Sequence, residues 1–160
     1  VTNNDILRRL RYALDISDSK MVAILGLSGQ DIAQPYLNGL LKKEDEEGYL
    51  ECSNIMMAFF LDGLIIYKRG PKGSSPGAGI KSDVALTNNS ILKKLRIALE
   101  YKEDDMIAIM KLVDIDISKS ELTALFRNNG HKNFRECGDQ FLRNFMKGLT
   151  IRNRFLQSDQ

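Results

Sequence analysis

Thr2-Asn3-Asn4-Asp5-Ile6-Leu7-Arg8-Arg9-Leu10-Arg11-Tyr12-Ala13-Leu14 returns 85 residues later as Thr87-Asn88-Asn89-Ser90-Ile91-Leu92-Lys93-Lys94-Leu95-Arg96-Ile97-Ala98-Leu99. The register runs without a gap from residues 2–69 to residues 87–154, and about 24 of the 68 pairs are identical. Chance does not hold one register over such a length, so the chain is a tandem duplication. Residues 1–69 form the first repeat and residues 87–160 the second. Between them, residues 70–86 hold two of the three prolines and four of the twelve glycines. That composition cannot bury a core and reads as a flexible linker. Each repeat is near the lower size for independent folding, so the two copies are expected to pack together.

The spacing of apolar residues sets the class. Ile6, Leu7, Leu10, Ala13 and Leu14 fall on one helical face, as do Ile91, Leu92, Leu95, Ala98 and Leu99. Thr2 and Thr87 suit N-caps, and Asp5 completes a capping box in the first copy. A second helix is expected near residues 19–27 and 104–112. A third is expected near residues 33–42 and after Ile117, where Ser118 and Glu121 read as a capping box. The fourth is expected from about Ser53 and Gly138. Strand-like alternation is nowhere sustained, so the fold class is all-α: a four-helix unit used twice.

Composition narrows the function. Lys+Arg 23 against Asp+Glu 21 leaves a net charge of +2. Divided by copy, residues 1–69 carry −2 and residues 87–160 carry +3. No apolar run approaches the roughly 20 residues of a membrane span. The polar opening, with Arg8 and Arg9 inside an amphipathic pattern, lacks the layout of a secretory signal. A cytoplasmic location is therefore expected, and two cysteines make no disulfide framework.

Catalytic constellations are not found, and neither are metal-ligand or cofactor motifs. Cys52 and Cys137 occupy equivalent positions, each after a Glu and before the fourth helix. A helix dipole can activate a thiol there, but a small buried residue at a helix junction is the preferred reading. The single His, His131, has no companion ligands at a metal spacing and reads as a solvated loop residue. Arg11/Arg96 and Glu51/Glu136 are unchanged between the copies and are expected to form an ion pair between the first helix and the loop before the fourth. Gly63 and Gly148 interrupt the last helix, where Gly costs about 1 kcal/mol against Ala, which points to close approach of another helix.

The second and third helices, joined by a short polar turn, outline a helix-turn-helix. In such a motif the third helix and the following loop would meet DNA. The candidate contacts are Lys119, Arg127, His131 and Lys132. Only the second copy has the electrostatics for it, because the acidic run at residues 44–47 would repel phosphates in the first.

The repeated Thr-Asn-Asn-x-Ile-Leu opening, together with (Tyr/Phe)-x-Glu-Cys at Tyr49 to Cys52 and Phe134 to Cys137, resembles the YehS-like family of bacterial proteins. The resemblance covers nearly the whole chain. It implies a bacterial source and a small, cytosolic, duplicated helical protein, and it brings no catalytic residue to transfer. The reading that follows is a non-enzymatic binding or scaffolding module, acting on a protein partner or by self-association. The alternative is a nucleic-acid-binding regulator.

Overall fold

The computed structural model describes residues 1–70 and 86–156. The stretch read as a linker, residues 70–86, lies outside them apart from its first and last members. The chain divides into two units, Val1–Leu86 and Thr87–Gln160, and each is taken by itself.

The described residues of the first unit form four α-helices: α1 (Asn3–Leu14), α2 (Asp18–Leu27), α3 (Gln34–Leu40) and α4 (Asn54–Arg69). The second unit repeats the order with α5 (Asn88–Leu99), α6 (Glu103–Lys111), α7 (Lys119–Leu125) and α8 (Asp139–Thr150), and no strand occurs among the described residues. A π-helical segment, Ile151–Leu156, continues α8. The protein is all-α, built from one helical unit used twice.

Local chemistry sets the helix starts. The Thr2 hydroxyl accepts the Asp5 N–H at 3.1 Å. The Asp5 carboxylate answers at the Thr2 N–H, which satisfies two of the otherwise unpaired donors. In the second copy Ser90 closes the same box, its hydroxyl accepting the Thr87 N–H at 2.9 Å. The sequence predicts this box in the first copy alone; in the second a hydroxyl closes it where the first uses a carboxylate. Ser118 and Glu121 cap α7 reciprocally. The third helices are short: α3 ends at Leu40 and α7 at Leu125, two turns each.

The second and fourth helices of each unit pack along one another. A Cβ added to Gly63 would fall on the Ile24 carbonyl oxygen and come within 2.9 Å of its carbon. One added to Gly148 would fall on the Ile109 oxygen and lie 2.8 Å from the Ile109 side chain. The absent side chain is what lets the backbones meet. The buried core includes Leu10, Met21, Ile24, Leu37, Leu64 in the first unit and Leu95, Met106, Ile109, Leu122, Leu149 in the second.

Candidate functional site

Asparagines identical in the two copies hold backbone. Asn4 is 2% exposed. Its amide donates to the carbonyls of Leu40 and Leu50, both at 2.8 Å. Its oxygen accepts the Cys52 N–H at 2.9 Å and the Tyr49 hydroxyl at 3.2 Å. Asn89 repeats three of these four bonds in the second unit, where Phe134 replaces Tyr49. It donates to Leu125 and Arg135 carbonyls at 2.8 and 2.9 Å and accepts the Cys137 N–H at 2.8 Å. Asn3 and Asn88 add bonds to the carbonyls of Cys52 and Cys137 at 3.0 and 3.1 Å. The start of the first helix is thus latched to the end of the third helix and to the segment that leads into the fourth. The loop is also tied to the third helix directly, by Leu50 N–H to Gly39 and Arg135 N–H to Ala124, each at 3.0 Å.

Sequence reading missed this latch. Its signal was present, since the Asn-Asn pair is identical in both copies. Asparagine near a helix start reads as a local capping residue, and nothing local reveals partners 36 to 49 positions away.

The cysteines sit inside this arrangement. Both are buried and free. Burial pushes the Cys52 thiol up to about 12 and the Cys137 thiol up to about 11. A nucleophilic cysteine needs the opposite shift.

Arg11 and Arg96 do not meet the glutamates. Arg11 donates to the Ile16 carbonyl at 3.2 Å and pairs with Asp18. Arg96 donates to the Tyr101 carbonyl at 3.0 Å and lies over the Phe126 ring, 4.7 Å from its centre. Both arginines close the turn between the first and second helices, while Glu51 and Glu136 are exposed. The reason is distance along the helix. Asn4 fixes Cys52 near the start of α1, and Arg11 lies seven residues further on, about 10 Å along the axis.

The loops after the third helices are where the copies part. Residues 42–50 carry two bases and four acids, whereas residues 127–135 carry three bases and no acid. In the first unit this loop borders a cleft of about 350 Å³. Thr2, Asn4, Arg8, Lys43, Glu44 and Tyr49 are among its lining residues. Thr2 and Asn4 are identical in the second copy (Thr87, Asn89), and the other four positions become Lys93, Asn128, Asn129 and Phe134.

Of the four residues nominated for nucleic acid, the structure brings two together. Arg127 Nη1 lies 3.3 Å from His131 Nε2. His131 Nδ1 accepts the Asn133 N–H at 3.0 Å. Lys132 is exposed in the same loop. Lys119 stands at the far end of α7 and faces Asp104 at 4.0 Å. The start of α7 also presents Glu121, whose carboxyl is held below its ordinary value chiefly by the Ser118 N–H. An anionic helix start is a poor fit for a recognition helix, which meets bases with its N-terminal residues.

Latched helix starts, a glycine seam and divergent loops, all occurring twice, define a duplicated helical protein with a shared scaffold and two distinct surfaces. The chain belongs to the family described as "Protein of unknown function (DUF1456)", which matches it twice, over residues 3–70 and 88–154. It is 45% identical over 150 residues to the "Uncharacterized protein YehS" of Escherichia coli (strain K12), a match covering 94% of this chain and 95% of that protein. No solved structure matches the chain. No helix among the described residues is long and apolar enough to cross a membrane.

Proposed function

We propose that the protein is a non-enzymatic binding module in which one latched scaffold displays two different recognition loops. The observation that carries this reading is the charge contrast: the same asparagine latch holds an acidic loop at residues 42–50 and a basic one at residues 127–135. The shared asparagines and arginines are spent on holding backbone, and the shared thiols are buried with raised pKa. The two loops differ in charge and are largely exposed, where a partner can reach them. We take the module to act in the cytoplasm, where reducing conditions keep free thiols such as Cys52 and Cys137 reduced.

Loop exchange tests it. Residues 43–49 and 128–134 are swapped in the full-length protein, and material retained from a bacterial lysate by each version is identified by mass spectrometry. Circular dichroism unchanged and retained species altered is the expected result. Identical retained species would sink the reading.

Nucleic-acid binding is the second reading, favoured by the Arg127–His131 contact beside Lys132 in a loop without acids. It relocates the contact from the third helix to the loop that follows it. Binding to mixed DNA or RNA, followed by fluorescence anisotropy, would weaken steeply with salt, and Arg127→Glu would abolish it. No binding at low salt removes this reading.

A further inference from the structure

The chain contains two Asn-Gly pairs among its described residues, and the fold treats them oppositely. Asn129-Gly130 is exposed in the loop after α7, in a turn closed by the His131 N–H to the Asn128 carbonyl at 2.9 Å. Nothing lies within 4 Å of a Cβ built on Gly130. No described residue hydrogen-bonds the Asn129 amide or the Gly130 N–H. Asn38-Gly39 is inside α3. There the Asn38 oxygen accepts from Gln34 at 2.9 Å, and the helix commits the Gly39 N–H. Gly39 is also covered by Leu50, which a Cβ would meet at 2.6 Å.

We propose that Asn129 is a site of spontaneous deamidation, and that the fold exposes it while protecting Asn38. The Gly130 amide nitrogen loses its proton to solvent and attacks Asn129 Cγ, forming a C–N bond. The Cγ–Nδ2 bond breaks, and Nδ2 leaves as ammonia after taking a proton from solvent. The resulting five-membered succinimide then adds water. Opening at Cγ leaves aspartate at position 129, and opening at the main-chain carbonyl leaves isoaspartate. Glycine favours the attack because its missing Cβ lets the nitrogen approach and the backbone turn. Either product places a carboxylate between Arg127 and Lys132, in a stretch that otherwise has three bases and no acid. The basic loop therefore loses charge as the protein ages, whatever it binds.

Trypsin separates the two sites, since cleavage after Arg127 and Lys132 releases residues 128–132, and cleavage after Lys20 and Lys42 releases residues 21–42. The folded, full-length protein is incubated at mildly alkaline pH and digested at intervals. A mass gain of about 1 Da should accumulate several-fold faster in the first peptide than in the second, with fragmentation locating it at position 129. In concentrated urea the two rates should converge. Gly130→Ala should slow the reaction on the order of tenfold. Equal rates in the folded protein, a gain located at Asn128, or no effect of Gly130→Ala would each overturn the proposal.

Discussion

The Asn4 side-chain oxygen accepts the Cys52 main-chain N–H at 2.9 Å, joining the first turn of α1 to the residue before the α4 cap. Forty-eight positions separate the two residues, and Asn89 and Cys137 repeat the bond at 2.8 Å with the same separation. One buried amide thereby pairs three backbone groups from two segments, groups that would otherwise be left unsatisfied in the interior.

Asn4→Ala should cost about 2–4 kcal/mol, because it strands the Leu40 and Leu50 carbonyls and the Cys52 N–H together. Asn89→Ala should cost less, since Asn89 is only partly buried and water can reach its partners. Asn4→Asp should be at least as damaging as Ala: a carboxylate has no donor for the two carbonyls. Urea denaturation of the three variants reads the order, and a neutral Asn4→Ala would refute the latch.

Gly63→Ala and Gly148→Ala should each destabilise by roughly 2–3 kcal/mol. Helix propensity alone predicts a gain of about 1 kcal/mol. The opposite sign follows from the backbone carbonyls of Ile24 and Ile109, which occupy the space a methyl would take. Thermal midpoints that rise in either variant would show that the helices do not meet there.

The cysteines predict an alkaline limb. Their folded values lie at about 12 and about 11, against 9.0 for an ordinary thiol. Above pH 9 the unfolded chain gives up thiol protons that the folded chain keeps, so stability present below that pH falls as pH rises toward 11. Cys52→Ala should flatten this decline in denaturation series across that range. Thiol reagents at neutral pH should label the folded protein only as fast as it opens.

Gly29 and Asp114 occupy equivalent positions and both adopt a left-handed backbone, with φ of 93° and 61°. Glycine accepts that conformation freely and an L-residue does not. Asp114→Gly should therefore raise stability by about 0.5–1 kcal/mol, and Gly29→Asp should lower it comparably. Melting both variants beside the wild type checks the pair, and matching shifts of the same sign would contradict it.

How much was legible beforehand differs from residue to residue. The helices were readable because Ile6, Leu10 and Ala13 obey a short period that needs no partner to be seen. Gly63 was readable as a place of close approach because a glycine inside a helix has a local cost. The partner of Arg11 was not: seven residues of α1 place it beside Asp18, away from Glu51. The role of Asn4 was hidden for the same reason, since its bonds join positions that only the packed unit makes neighbours.

The sequence by itself determined the duplication, the all-α class and the opposite charges of the two loops, because these are properties of period, register and composition. Only the tertiary structure decided that the identical asparagines hold those loops, that both thiols are buried and held protonated, and that Arg127 meets His131 while Lys119 stands apart. Hydrogen bonds, burial and charge pairing act through space. The distances that govern them arise only once each helical unit has closed on itself.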